Sequence, residues 1–154
     1  MNADLALIQE FLRDPTRPLP MTASPLQRRL RGEILAIDAK LGRSLVAFDP
    51  EDYFVQGGEV LQGGVVSTML DFALAFAALA RLSSSQSVGS ATLNVNFLRP
   101  TMPGRLLVAG HVVRLGSRVV FAEAHLGPDT ARINATATSV MIVSDAPLPQ
   151  ASGG

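Results

Sequence analysis

The fold is decided by one stretch: Val60-Leu61-Gln62-Gly63-Gly64-Val65-Val66-Ser67-Thr68-Met69-Leu70-Asp71-Phe72-Ala73-Leu74-Ala75-Phe76-Ala77-Ala78-Leu79-Ala80-Arg81. Two glycines open it, and apolar residues then follow on every side, as in a helix buried all round. Asp71 is its only ionisable side chain between the glycines and Arg81. An unpaired buried carboxylate is costly or shifts its pKa upward, so an acid in such a place has a partner or a task. Asp71 is the first candidate for chemistry. Its bland alternative is a core acid satisfied by Ser67, Thr68 or backbone N–H groups.

Strand-like runs surround this helix. Before it come Glu33 to Ala39 and Arg43 to Phe48, joined at Lys40-Leu41-Gly42. After it come Ser87 to Leu98, Arg105 to Leu115, Arg118 to Leu126 and Ala131 to Val143, separated by Gly- and Pro-containing turns. Such short connections imply antiparallel neighbours. Near the N-terminus, Ala3 to Arg13 has the spacing of a short amphipathic helix. Four prolines from Asp14 to Pro25 mark a linker or arm, and Asp145 to Gly154 is expected to be a disordered tail. The expected division is therefore a helix and arm over 1–25, a domain over 26–144 and a tail over 145–154. The class is α+β: an antiparallel sheet that curls around one long helix, the arrangement called the hotdog fold.

Composition narrows the function. The 154 residues suffice for one compact domain, and hydrophobic residues make up 47% of them against 17% charged. Thirteen basic and thirteen acidic residues cancel, which leaves no nucleic-acid footprint. The absence of cysteine excludes thiol nucleophiles, disulfides and Cys-based metal sites. No run reaches the length of a membrane span and the start does not read as a signal peptide, so a cytoplasmic protein is expected. Each histidine, His111 and His125, stands alone in a strand pattern and reads as structural or surface. Neither a metal site nor a cofactor is expected.

Three pieces of sequence carry a resemblance: Gln62-Gly63-Gly64 at the helix start, Asp71 eight residues beyond Gly63, and Leu93-Asn94-Val95-Asn96-Phe97-Leu98-Arg99-Pro100 on the following strand. Their order and spacing resemble the hotdog-fold acyl-CoA thioesterases, in particular the PaaI-like branch associated with phenylacetate degradation. The resemblance runs from about Gly32 to Val143. It implies hydrolysis of an acyl-CoA thioester, with Asp71 in the place of the family's catalytic carboxylate and coenzyme A as part of the substrate. It also implies roles for Gln56, six residues before the motif position, and for Ser90 on the strand after the helix. Gln62 stands where that family usually has histidine. The resemblance further implies a homodimer or homotetramer with sites between subunits, Gln56 and Gly63 from one chain meeting Asp71 of another.

The residues themselves suit this chemistry. A helix N-terminus offers free N–H groups and partial positive charge, and Gly63 and Gly64 leave it open to a carbonyl oxygen. Asp71 can serve as general base or as nucleophile. Arg99, Arg105 and Arg118 stand at loop ends and are candidates for phosphate contacts. Strand parity puts Ser90 on the face away from its own helix. Two rival readings are a non-catalytic acyl-CoA binding protein, because the motif histidine is replaced, and a hotdog dehydratase or hydratase.

Overall fold

The computed structural model describes residues 2–145, and the expected tail lies outside that range from residue 146 onward. A single antiparallel sheet wraps one long helix. Its strands are β1 (Leu19–Pro20), β2 (Glu33–Asp38), β3 (Arg43–Phe48), β4 (Ser87–Phe97), β5 (Leu106–Leu115), β6 (Val119–Gly127) and β7 (Ala135–Ser144). They lie in the order β1-β2-β3-β5-β6-β7-β4. The helices are α1 (Ala3–Arg13), α2 (Pro25–Arg29) and the central α3 (Gly63–Leu79). This is the expected hotdog architecture.

Small residues let the sheet close on the helix. Ser44, Gly110, Ala124 and Ala137 are successive partners across β3, β5, β6 and β7, and all four face inward. A Cβ on Gly110 would lie 2.3 Å from the Ala73 carbonyl oxygen, far inside van der Waals contact. Ser44 Oγ donates to that same oxygen at 2.7 Å. Larger side chains fill the core on either side of this row, among them Phe48, Met69, Leu70, Leu74, Phe76 and Leu126, all at 0% exposure.

Three expectations are corrected. The first concerns α3, which is not buried all round. Val66, Met69, Leu70, Ala73, Leu74 and Ala77 are buried, but Ser67, Thr68, Asp71, Phe72 and Ala75 form a half-open stripe at helical spacing. Hydropathy alone cannot separate a face covered by the sheet from one left open in a single chain.

The second concerns the proline-rich segment, which is not a free arm. β1 pairs with β2, and Ser24 and Gln27 form a capping box that starts α2, with Pro25 in its first turn. Gln27, fully buried, donates from Nε2 to Asp4 Oδ1 at 2.6 Å. Burial pushes the Asp4 carboxyl above its usual range, and the Gln27 hydrogen bond opposes this. With Leu5, Ile8 and Phe11 buried, α1 is bound to the rest of the domain.

The third concerns β7, which begins at Ala135 rather than Ala131. Asp129 Oδ1 accepts from the Ala131 and Arg132 N–H groups at 2.8 and 2.7 Å, folding those residues into a turn.

Candidate active site

The helix start is held by a short loop. Asp52–Phe54 forms a 3₁₀ turn, and Val55 then pairs with Leu61. Between them the chain reverses: Gln56 N–H donates to the Val60 carbonyl at 2.9 Å, and Glu59 N–H to the Gln56 carbonyl at 3.0 Å. Glu59 takes a left-handed φ of 61° to complete this reversal, a conformation costly for a side chain with a Cβ. The loop is fastened to α3 by Gln62 N–H, which donates to the Phe54 carbonyl at 3.1 Å, and to the chain after β4 by Leu61 N–H, which donates to the Thr101 carbonyl at 2.8 Å. A groove of about 360 Å³ results, lined by Gln56, Gly63, Val66, Phe97, Arg99 and their neighbours. The expected residues Gln56, Gly63 and Arg99 are thus brought together.

The far wall of the groove depends on a residue that sequence reasoning missed. Asn134 is buried, and its carbonyl accepts from the N–H groups of both Leu98 and Arg99, at 2.8 and 3.0 Å. Its Nδ2 donates to the Pro100 carbonyl at 3.1 Å. These bonds fix the Phe97–Pro100 segment beside the helix start. The Phe97 ring then covers Gly63, where an added Cβ would sit 3.2 Å from Phe97 Cζ. Nothing in the run around Asn134 announces this role, because it rests on contacts between distant segments.

At the helix start only one of the first donors is open. Gln62 is the N-cap, and its Oε1 accepts from Gly64 N–H at 2.6 Å. The Gln62 carbonyl accepts from Val65 and Val66 N–H at 2.9 and 3.2 Å. Gly63 N–H has no acceptor among the described residues. The expectation that both glycines lie open is therefore corrected for Gly64, whose donor is taken by the preceding side chain.

Asp71 lies eight residues further along, about 12 Å at 1.5 Å per residue. It is half-buried on the open stripe of α3, not sealed in the core. Ser90 Oγ donates to its Oδ1 at 2.7 Å. The neighbours named by the bland alternative are occupied elsewhere: Ser67 Oγ donates to the Gly63 carbonyl and Thr68 Oγ1 to the Gly64 carbonyl, each at 2.9 Å. The Ser90 contact overturns the parity argument. A bulge falls between Ser90 and Thr92, whose partners on β7 are the consecutive residues Met141 and Val140. Ala91 is the extra residue, and it turns Ser90 to the helix side, as the bulge leaves Leu93, Val95 and Phe97 on the inner face.

The arginines do not converge within one chain. Arg99 Nη1 donates to the Ile133 carbonyl at 2.5 Å, at the groove. Arg105 pairs with Glu33 at 3.0 Å. Arg118 lies at the opposite end of the sheet, where its carbonyl accepts from Val143 N–H. Both histidines lie on the outer sheet face, His111 Nδ1 being 3.4 Å from Glu123 Oε1. They line a larger concavity of about 780 Å³ with Arg43 and Glu123. Strand backbone there is engaged in the ladder, so no helix terminus opens into it. Among the described residues no group of three or more His, Asp or Glu side chains gathers as a metal ion requires, and no helix is long and apolar enough to cross a membrane.

Comparison with known proteins agrees with this fold and its landmarks. Residues 58–132, which span the helix start, α3 and β4 to β6, match the Thioesterase superfamily. A phenylacetic acid degradation-related protein of Ralstonia eutropha, called a thioesterase in its structure's description, is similar at 28% identity with a TM-score of 0.76, over 88% of this chain and 98% of that one. The PaaI protein of the Escherichia coli phenylacetic acid degradation operon shares the fold at 15% identity, with a TM-score of 0.72 over 91% and 92% of the two chains. A Saccharolobus solfataricus protein provisionally named an esterase is 31% identical over 91 residues, which are 59% of this chain and 64% of that relative's length. The chain has the hotdog fold, and its resemblance to the thioesterases, the PaaI-like branch in particular, is upheld.

Proposed function

We propose that this protein hydrolyses an acyl-CoA thioester to the free acid and coenzyme A, in a site completed by a second copy of the chain. The observation that carries the reading is the pairing of a half-open Asp71, held by Ser90, with an unoccupied Gly63 N–H in an apolar groove. The carbonyl oxygen accepts from Gly63 N–H, whose position at the positive end of α3 favours developing negative charge. Asp71 either takes a proton from the attacking water or attacks the carbonyl carbon itself. Water supplies the oxygen of the acid, and the C–S bond breaks to release the thiol.

Both groups must approach one carbonyl within about 3 Å. An axial separation of about 12 Å along a single helix forbids that within one chain. A second copy resolves it, the groove of one chain facing the Asp71 of the other. The β4 edge supports such pairing. It is an eleven-residue edge strand with Thr92, Asn94 and Asn96 exposed and Phe97 at 56% exposure, and an uncovered edge of that length invites association. Light scattering is expected to give at least twice the monomer mass at micromolar concentration, and a monomer would contradict the shared site. The dehydratase alternative needs a histidine near the helix start, and both histidines lie on the outer face.

Thiol release measured across short, medium, long and aryl acyl-CoAs tests the activity. Turnover of at least one of these is expected. Tight binding without thiol release would instead make the protein an acyl-CoA binder.

A further inference from the structure

We infer that the Phe97 ring sets the largest acyl group this site takes; the inference rests on the thioesterase reading above. The groove beside the helix start is lined mostly by apolar side chains, Val60, Leu61, Val66, Phe97, Leu98 and Pro100. Such walls suit the hydrocarbon of an acyl group. They do not suit the arm of coenzyme A, whose amides would lose their hydrogen bonds there. The groove is therefore the seat of the acyl group, and its walls limit what that group can be.

The walls differ in freedom. Leu61 and Val66 are buried members of the core, so close packing holds them in place. Phe97 is pinned through its backbone instead. It closes β4 opposite the small Ala135, and the next two N–H groups, of Leu98 and Arg99, donate to the Asn134 carbonyl. Its side chain is more than half exposed, and no other aromatic ring packs on it among the described residues. A fixed backbone thus carries a ring that is free to turn.

The end of that ring stands where the acyl group begins. Phe97 Cζ, Cε1 and Cε2 lie 3.2, 3.5 and 3.8 Å from the point that a Cβ on Gly63 would occupy. That point is two bonds, roughly 2.5 Å, from the Gly63 nitrogen, which puts the ring end within about 6 Å of the open N–H. A carbonyl oxygen accepting from that N–H at about 2.9 Å brings its carbon and the first acyl carbons into the same space. In the shared site proposed above, the second copy closes the open side of the groove, so ring and acyl group divide one enclosed volume. A short group packs against the ring. A longer one has to displace it.

The test is kcat/KM for thiol release from straight-chain acyl-CoAs of graded length, acetyl to lauroyl, by wild type, Phe97→Leu and Phe97→Ala, with Tm as the folding control. The wild type should reach a best length and then fall off. The variants should move that limit to longer chains, Ala further than Leu. Each methylene that an apolar site accommodates is worth about fourfold, so two more suffice for over tenfold. The quantity to follow is kcat/KM for the first chain the wild type rejects, divided by that for its best substrate. This ratio should rise at least tenfold in the Ala variant and by a smaller factor in Leu, while the shortest chains lose turnover with the ring they pack against. If Phe97→Ala does not fold, a rise of at least threefold in Phe97→Leu decides. A smaller rise, a fall, or one common factor for all lengths overturns the inference, the last because it would place the ring against the thiol arm. A wild type with no upper length limit overturns it as well. Failure of the thioesterase reading looks different, since the wild type then releases no thiol from any chain, and the two proposals fall together.

Discussion

The helix start and the middle of α3 are built in opposite ways. At the start, the reactive feature is backbone: one open N–H in an apolar groove, positioned by Gln56, Phe97 and the buried Asn134. In the middle it is a side chain, the Asp71 carboxylate, oriented by Ser90 across a strand bulge. The first region has an open donor and no acid lining its groove; the second has an acid on the helical middle of α3, where the backbone donors serve the helix. Neither can polarise and attack a thioester alone. Their separation along one helix teaches that a single chain holds two incomplete halves.

Each half can be broken separately. Asp71→Asn should have the largest effect. It preserves size and can still accept from Ser90, but it cannot take a proton at neutral pH or attack a carbonyl. General-base assistance is worth ~10²–10⁴ in rate, so kcat should fall by at least about a hundredfold, with Tm unchanged or raised. A folded Asn variant with most of its turnover would reduce Asp71 to a structural residue.

Gly63→Pro attacks the other half. Proline is favoured at the first helical position, where its missing N–H breaks no helix bond. The preceding Gln62 has φ −63° and ψ 136°, the extended geometry that a residue before proline prefers. A Cβ at this position first meets the end of the Phe97 side chain, 3.2 Å away. Removing the donor should lower kcat by about 10²–10³ while thermal melts and acyl-CoA binding persist. Unchanged kcat would remove the helix start from the mechanism.

Ser90→Ala sharpens the contrast, because Ser90 acts through Asp71. The carboxylate survives but loses its orienting bond, so a fall of about tenfold in kcat is expected, and Ser90→Thr should recover part of it. An Ala variant as active as the wild type would make the hydroxyl irrelevant. Arg99→Ala should be milder still. Its guanidinium sits at the groove rim, where loss of a phosphate contact raises KM several-fold and leaves kcat nearly unaltered. A fall in kcat at constant KM would place Arg99 at the reacting centre instead.

Much of this was legible in the residues. Glycines, apolar run and lone acid mark α3, and turn chemistry separates the four strands that follow it. The halves were legible unequally. Gly63 and Asp71 stand out because a double glycine and an acid both conflict with an apolar helix. Three features did not. The bulge at Ala91 leaves no local mark, and one extra residue reverses which side chains face α3. The cap by Gln62 depends on a long side chain curling back, whereas sequence signals for capping rest on short ones. Asn134 works through carbonyl and amide bonds to residues more than thirty positions away. The proline-rich segment misleads for a related reason, since Pro20 sits in an edge strand and Pro25 in a helix first turn, where proline is tolerated.

The central claim is that the two halves meet between subunits, and mixing tests it most directly. Gly63→Pro and Asp71→Asn chains, each inactive alone, are co-expressed with different tags, and the mixed oligomer is purified through both. A shared site gives every mixed pair one composite site with both changes and one with neither. Thiol release should then return to about half the wild-type rate per dimer, from two preparations that have almost none. If the mixed oligomer forms and remains as inactive as its parents, each site lies within one chain and the account is wrong.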